Sequence, residues 1–441
     1  MSAAGIVPQR CVLVLPSTAE FDSRTYRIAS TLSARGHDVT VLARLAPGLP
    51  ASETHPSGYR ILRIPVSAMA GLPGPLRAMA RLLRRPASSG RPAATVAAAG
   101  SPTPTAPARP ARRRIGGLDR LAAIALTVRA QRGATHRLAP PADVVHAMAY
   151  MGIPVGLDLG RRDHAPVIYD ARDIYVDAAN LARLPGPARR LFARIERGWA
   201  RRAQRVVTVN LPYAEVMAER FGVPQPLVVL NCAYRREPPA ERPRRFHERL
   251  GLDAATAVVL YQGGFSRDRG IEQLIEALPA FAPAVLVLLG YGPLQAELER
   301  RAADPALAGR LHVLPAVPPT ELIDWVASAD VVAMPIQPTT LNHRLTTPNK
   351  LFEAMAAGVP IVASDLPGMA GIVREADCGV LVDPTDPAAI GAAIGGLLAL
   401  PAAERAAIGG RGQAAHLATY NWEAQAAILL AEYGRLTGRP W

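Results

Sequence analysis

Short apolar runs alternate with amphipathic stretches along most of the chain, the pattern of a protein built from strand–helix–strand units. The first unit has a buried-type strand at Arg10–Pro16, a helix at Tyr26–Arg35 that Gly36 ends, and a second strand at Asp38–Ala43. Apolar runs bounded by turn residues predict buried parallel strands. A strand, a helix and a strand in this order predict a right-handed parallel unit.

The same alternation continues through the chain and predicts two α/β domains. Further predicted strands are Asp143–Ala147, Val167–Asp170, Arg205–Val209, Leu227–Leu230, Ala257–Tyr261, Val285–Gly290, Leu311–Pro315, Val331–Pro335 and Ile361–Ala363. A polar, proline-rich stretch at 235–243 predicts a linker between the domains. We therefore expect an N-terminal domain at 1–236, a C-terminal domain at 237–417 and a terminal helix at 418–441.

One segment departs from this pattern in composition and charge. Residues 86–110 are rich in Ala, Pro, Ser, Thr and Gly without periodicity, which predicts a disordered insert. Between Arg77 and Arg137 there are 13 arginines and a single acid, Asp119, so most of the net charge of +14 lies here. The basic amphipathic flanks within 72–132 suit an anionic membrane surface, or else a helix pair with a solvated arginine face. Nucleic acid is not expected, because no aromatic interleaving or recognition motif accompanies the charge.

Composition narrows the class of protein. At 441 residues and 49% hydrophobic, the chain can bury more than one core. No run approaches 18 apolar residues, and Val12–Leu15 is too short for a signal-peptide core, so we expect a cytoplasmic protein, peripheral to the membrane at most. The three cysteines match neither a metal site nor a disulfide framework.

The stretch Thr346–Gly368 carries the strongest candidate chemistry. Its pattern predicts a loop, a helix beginning near Pro348 with Thr347 as cap, and a strand. Lys350, the only lysine of the chain, falls in the first turn of this helix, where the helix dipole favours anions. Glu353 follows on the same helix, so a cation and a carboxylate are placed to hold a diphosphate and a sugar hydroxyl.

A second candidate site follows the strand at Ala257–Tyr261. There Gly263 and Gly264 lead into a helix, and Arg267 and Arg269 stand in the turn. Glycines in such a turn let backbone N–H groups approach a phosphate, and the following helix N-terminus favours negative charge. Paired glycines alone are weak evidence, and the two arginines strengthen the signal.

Residues 348–364 (PNKLFEAMAAGVPIVAS) resemble the donor-site segment of the retaining glycosyltransferases of family 4, which have the GT-B fold. The stretches RGHDVTVLA (35–43) and YGPL (291–294) are similar to other segments of that family. The resemblance covers nearly the whole chain apart from the insert. It implies two facing Rossmann-like domains with parallel sheets, and a last helix that crosses back to the first domain.

The resemblance also implies roles for residues in the second half. Lys350, Arg267 and Arg269 would stabilise the departing diphosphate, beside the loop with Gly263 and Gly264. Glu353 would hold the ribose hydroxyls. The remaining donor-binding candidates are Asn349, Leu351 and, through its main chain at the base, Leu314.

Two departures from the family pattern stand out. The family often has another glutamate eight positions before the one that matches Glu353, and this chain has Leu345 there. This absence leaves open how the donor sugar is held. Asn342, His343 and Arg344 are nearby candidates. Where the family often carries a histidine near the reacting sugar, this chain has Arg172. Candidate acceptor-side residues, at the carboxyl ends of predicted strands or in the loop after the first strand, are Asp22, Arg24, His146, Arg172 and Asp173. Asp22 could instead cap the next helix, and His146 could be structural.

We therefore expect a glycosyltransferase that moves a sugar from a nucleoside-diphosphate donor to the hydroxyl of a saccharide, lipid-linked or small-molecule acceptor. The resemblance implies retention of configuration, no metal and no cofactor. Two alternatives remain: a nucleotide-sugar epimerase on the same fold, and a non-catalytic partner subunit marked by the loss of the glutamate.

Overall fold

The computed structural model describes residues 7–20, 22–66, 117–239 and 241–441. The predicted disordered insert at 86–110 and most of the basic segment 72–132 lie outside the described residues.

The first domain is built on a sheet of eight strands in the order β3-β4-β2-β1-β5-β6-β7-β8. All neighbours are parallel except β3 and β4, an antiparallel edge pair that the sequence analysis missed. The strands are β1 (Arg10–Val14), β2 (Asp38–Arg44), β3 (Ser52–Thr54), β4 (Arg60–Ile64), β5 (Val144–Met148), β6 (Val167–Asp170), β7 (Arg205–Thr208) and β8 (Leu227–Val228).

Helices cover both faces of this sheet. They are α1 (Ser23–Ala34), α2 (Gly117–Leu138), α3 (Ala149–Asp163), α4 (Ala179–Ala182), α5 (Gly186–Ala200) and α6 (Leu211–Phe221), with a 3-10 turn at Tyr175–Asp177. Helix α1 begins three residues earlier than the predicted Tyr26, because Asp22 caps it by accepting a hydrogen bond from the Thr25 N–H at 2.9 Å.

The second domain contains a sheet of six parallel strands in the order β11-β10-β9-β12-β13-β14. They are β9 (Val258–Gly264), β10 (Val285–Tyr291), β11 (Leu311–Pro315), β12 (Val331–Met334), β13 (Ile361–Ser364) and β14 (Gly379–Val382). Strand β9 lies where the strand order reverses, between β10 and β12. In open α/β sheets the crevice beyond the carboxyl end at such a point is the usual ligand site.

The helices of the second half are α7 (Arg245–Leu250), α8 (Ile271–Ala277), α9 (Gln295–Ala302), α10 (Leu322–Ala327), α11 (Leu341–Arg344), α12 (Asn349–Ala357), α13 (Pro367–Ala376), α14 (Pro387–Ala399), α15 (Ala402–Ala418) and α16 (Trp422–Thr437). No single helix of the described residues is long and apolar enough to span a bilayer. Helix α14 together with the stretch α15–α16 has sufficient length and apolar composition, but the two parts are bent by 112° at the break between them.

The terminal helix α16 packs against the first domain. Trp422, Leu429 and Tyr433 join the apolar cluster around Cys11 and Leu13 of β1. The Trp422 indole N–H also donates to the Thr31 hydroxyl of α1 at 2.8 Å. The predicted fold class is thus confirmed, with two parallel-sheet domains and a last helix on the first of them.

Candidate active site

The donor helix α12 begins beside the contacts that join the two domains, since Asn349 in its first turn is bonded to Asn231. Its N-cap residue is Pro348, which provides no side-chain cap. The prediction that Thr347 caps this helix is wrong, because the Thr347 hydroxyl accepts a hydrogen bond from Asn210 Nδ2 at 3.0 Å and donates to the Gly368 carbonyl. The first N–H groups of a helix have no intrahelical partner, so this end of α12 is suited to an anion.

Lys350 lies in the first turn of α12 with a buried and unpaired ammonium group. Its Nζ stands 3.5 Å from the centroid of the Tyr261 ring and has no hydrogen-bond partner among the described residues. Burial and the charge of Arg269 hold the pKa of Lys350 well below its usual value, while Glu353 acts in the opposite direction. A buried unpaired ammonium is costly, and an anion bound here would provide its missing partner.

The turn after β9 faces the same ammonium group. Gly263 has φ +121°, which favours glycine, and a Cβ built on it would lie 3.5 Å from Lys350 Nζ. Both Gly263 and Gly264 are exposed. A Cβ at Gly290 would meet the Gly263 carbonyl at 1.9 Å, so the neighbouring strand must also carry glycine here. The turn therefore leaves its backbone open to a ligand beside Lys350.

Two arginines add positive charge to this turn. Arg267 is exposed and Arg269 is half-buried, and neither makes an ion pair or hydrogen bond with a described residue. Arg269 is close enough to lower the pKa of Lys350 and to influence that of Asp173. Positive charge without counter-ions is thus concentrated at the carboxyl end of β9.

Glu353 lies one turn after Asn349 on the same helix. It is half-buried. Burial raises its pKa, while the charges of Arg27 and Lys350 oppose that shift. A carboxylate between two cations at the edge of the cleft can accept hydrogen bonds from hydroxyl groups of a bound ligand.

Three other predicted donor residues have different surroundings. The side chain of Leu351 is fully buried and its N–H donates to the Pro348 carbonyl, so neither is presented to a donor in this structure. The side chain of Leu314 is also in the core, which leaves only its main chain for a base contact. Asn349 accepts a hydrogen bond from Asn231 Nδ2 at 2.8 Å and donates to the Ser23 hydroxyl, so it links the two domains instead of facing a donor.

Two of the acceptor-side candidates form an ion pair in the first domain. Arg172 Nη1 lies 2.7 and 2.8 Å from the two carboxylate oxygens of Asp22. Burial works against ionisation of Asp22, yet Arg172 and the Thr25 N–H hold its pKa below the usual value. Asp22 therefore both caps α1 and orients Arg172, whose remaining guanidinium N–H groups have no partner among the described residues.

Arg24 and His146 belong to a buried network and do not face an acceptor. Asp170 Oδ2 accepts from Arg24 Nε at 2.6 Å and lies 3.0 Å from His146 Nε2, while the Tyr433 hydroxyl lies 2.7 Å from His146 Nδ1. Arg24 is 1% exposed and His146 0%. Their acceptor-side role stays a prediction, and the contacts seen are structural ones, because His146 lies within β5 and joins the sheet to the terminal helix.

A third set of contacts joins the domains beside the cleft. Asn342 Nδ2 donates to Asp173 Oδ1 at 3.0 Å, and Asn210 Nδ2 donates to the Leu345 carbonyl at 2.7 Å. The Tyr213 hydroxyl donates to the Asn342 carbonyl at 2.8 Å. Sequence reasoning missed Asn210 and Tyr213, and Asn210 carries only the local signal of a helix cap, which it also provides to α6.

The sequence matches two protein families whose members are glycosyltransferases. Residues 256–399 match the family described as glycosyl transferases group 1, and residues 81–233 match a glycosyl transferase 4-like domain. The chain is 28% identical over 331 residues to a D-inositol 3-phosphate glycosyltransferase of Xylanimonas cellulosilytica, covering 71% of this chain and 77% of that protein.

Two further similarities extend the comparison. The chain is 35% identical over 184 residues to a GDP-mannose-dependent alpha-(1-6)-phosphatidylinositol monomannoside mannosyltransferase of Mycolicibacterium smegmatis, covering 41% of this chain and 47% of that protein. The fold resembles sucrose-phosphate synthase of Thermosynechococcus elongatus with a TM-score of 0.70 and 21% identity, covering 98% and 99% of the two chains. The family predicted from residues 348–364 is confirmed, and the chain belongs to the GT-B glycosyltransferases of family 4.

Proposed function

We propose that the protein transfers a sugar from a nucleoside diphosphate to an acceptor hydroxyl, with retention of configuration and without a metal ion. The observation that carries the proposal is the buried, unpaired ammonium of Lys350 at the start of α12, opposite the backbone of Gly263. The diphosphate of a nucleotide sugar supplies the anion that this arrangement lacks.

Each donor-side group has a role in this reaction. Negative charge develops on the diphosphate as the sugar departs, and preorganised cations stabilise that charge. We assign this work to Lys350, Arg269, Arg267 and the N-terminus of α12. Glu353 binds the ribose hydroxyls, and Asp22 with Arg172 lies on the acceptor side.

The same charges support the proposed independence from metal. The cations at the carboxyl end of β9 provide the positive charge that a divalent ion supplies in metal-dependent transferases. Retention rests on family membership, and the leaving phosphate then accepts the acceptor's proton, so no side chain is assigned as general base. The anomeric configuration of the product, read by NMR coupling constants, tests retention directly.

The acceptor is proposed to be a polyol or glycolipid. The names of two relatives mention inositol 3-phosphate and phosphatidylinositol monomannoside, so inositol phosphates and phosphatidylinositol are the first acceptors to test. Mannose and glucose donors of GDP and UDP form the matching donor set.

We also propose that the enzyme works at the cytoplasmic face of a membrane. The basic amphipathic flanks within 72–132 suit such a surface, and they equally suit a helix pair with a solvated arginine face. Helix α5 supports the membrane contact, because Leu191 and Ile195 are exposed among the exposed arginines Arg190, Arg194 and Arg197. Cosedimentation with vesicles of phosphatidylglycerol, compared with phosphatidylcholine alone, tests this surface.

The donor proposal is tested by thermal unfolding with UDP, GDP, TDP and ADP, each with and without EDTA. A ligand at 100 times its Kd adds about 2.7 kcal/mol to the free energy of unfolding. We expect one nucleotide to stabilise the protein equally with and without the chelator. Stabilisation lost with EDTA would overturn metal independence, and donor binding without turnover on any acceptor would favour a non-catalytic partner subunit.

A further inference from the structure

The second-domain segment before the donor helix offers no carboxylate to a donor sugar. Leu345 stands where the family pattern has a glutamate, directly after α11. Its side chain packs, with that of Leu341, against the apolar core of the first domain. Position 345 therefore holds the domains together by apolar contact, and any acidic group that meets the sugar has to come from elsewhere.

Asp173 of the first domain is held against this same segment. Asn342 Nδ2 donates to Asp173 Oδ1 at 3.0 Å, and Asn342 Oδ1 accepts from the Ile174 N–H at 2.8 Å. The carbonyl of Asn342 accepts from the Tyr213 hydroxyl. Both ends of the Asn342 amide are thus used, which fixes the orientation of the amide. Asp173 is therefore held against Asn342, which lies three residues before position 345.

The free oxygen of Asp173 lies in a cationic setting beside the diphosphate loop. Asp173 is half-buried, and its Oδ2 has no hydrogen-bond partner among the described residues. Burial raises the pKa of Asp173, whereas the Asn342 bond and the charges of Arg172 and Arg269 favour the carboxylate. Arg269 belongs to the turn assigned to the diphosphate, and its charge acts on Asp173 across the domain boundary.

We propose that Asp173 binds hydroxyl groups of the donor sugar across the cleft, as the carboxylate that position 345 does not provide. This inference rests on the proposed donor site and adds its sugar subsite. The nucleotide is then held by the second domain and the sugar by the first. Sugar selectivity then depends on the contact between the domains, because Asp173 and Arg269 belong to different domains.

The test compares nucleotide with nucleotide sugar in Asp173→Asn and Asp173→Ala. Calorimetry would use UDP, GDP and their glucose and mannose conjugates. We expect unchanged affinity for the nucleoside diphosphate and a roughly 10- to 100-fold weaker affinity for its sugar conjugate, the loss typical of a hydrogen bond to a charged group. The acceptor KM should not change.

Asp177→Asn serves as the matched control, because Asp177 follows in the same loop but pairs with Arg189 and Arg220 of the first domain. A donor that lacks the bound hydroxyl adds a readout that a merely structural residue would not affect. Such a deoxy-sugar donor should lose affinity for the wild type and not for Asp173→Asn.

Three results would overturn the inference. They are an unchanged sugar conjugate affinity in both Asp173 variants, an equal loss for nucleotide and conjugate, and a change confined to the acceptor KM. Wild-type protein that binds none of the nucleotides would instead overturn the proposed function, and this subsite with it.

Discussion

The two faces of the cleft use charged residues in opposite ways. On the second domain, Lys350, Arg267 and Arg269 form no ion pair with a described residue. On the first domain, Arg24 is paired with Asp170, and Arg172 with Asp22. Buried charge is stable only when it is paired. The fully buried pair of Arg24 and Asp170 therefore marks structure, and the unpaired cations of the second domain mark the place proposed for the diphosphate.

The largest effect is expected from breaking the pair in the interior of the first domain. Arg24→Met leaves the Asp170 carboxylate buried without its cation and should lower the free energy of unfolding by roughly 3–5 kcal/mol. Urea unfolding measures the loss. The control Arg374→Met removes the exposed pair with Asp365 and should cost at most about 1 kcal/mol. Equal losses in the two variants would contradict a structural role for the buried pair.

Replacing Lys350 should lower activity strongly without lowering stability, in contrast to the loss of stability expected for Arg24→Met. Lys350→Met should lower kcat roughly 10²- to 10³-fold, the scale for losing one group that stabilises transition-state charge. Its thermal stability should stay the same or rise, because the variant no longer buries an unpaired ammonium. Lys350→Arg should not restore activity, since the planar guanidinium does not replace a compact ammonium. Near-normal turnover in Lys350→Met would remove Lys350 from the site.

Glu196 of α5 is a first-domain exception that sharpens the comparison. It is buried and accepts a hydrogen bond from the Tyr169 hydroxyl at 2.7 Å, but makes no ion pair within the described residues. Burial raises its pKa to about 7. Between about pH 4.5 and 7 the folded protein keeps this proton and the unfolded chain loses it, so stability should fall as pH rises, by on the order of 3 kcal/mol.

The matched variant isolates this contribution. Glu196→Gln should remove the fall, so that its stability relative to wild type increases from pH 5 to pH 8 in urea titrations. Other carboxylates, such as Asp170 with its lowered pKa, are common to both proteins and cancel in the difference. Parallel curves for the two proteins would show that Glu196 ionises normally.

The smallest effect is expected at Arg269. Arg269→Ala should weaken binding of the preferred nucleoside diphosphate roughly tenfold, since one charge-assisted hydrogen bond is lost. Arg300→Ala on α9 is the control, because Arg300 is exposed and unpaired among the described residues. Calorimetry measures both affinities. Equal affinities in the two variants would mean that Arg269 is not at the diphosphate.

The candidate donor residues could be placed next to one another from sequence because their arrangement is local. Lys350, Glu353 and the glycine turn lie within single strand–turn–helix segments, and a short motif encodes each geometry. Local pattern also predicted most of the parallel strands of both sheets, but it missed the parallel strands β4 and β14. The missed edge pair β3–β4 has only three residues in one strand, too few for a periodic signal.

The first-domain face could not be read in the same way, because its partners are far apart in sequence. His146 meets Tyr433 across 287 positions, and Arg24 meets Asp170 across 146. The sequence positions of Arg24 and His146 are compatible with a site at the strand ends. Only the contacts of the folded chain show that both side chains are buried. Asn349 likewise sits inside the donor motif, yet its side chain is engaged by Asn231.

Asparagine amides supply the polar links between the domains around the cleft. Asn342 meets Asp173, Asn210 meets Leu345 and Thr347, and Asn231 meets Asn349. Most of these bonds join neutral groups, so dissolved ions screen them little, whereas the attraction of the donor cations for a diphosphate weakens as salt is added. Ionic strength thus becomes a means to separate two interactions: added salt should slow the capture of the nucleotide while leaving the contacts between the domains nearly unchanged.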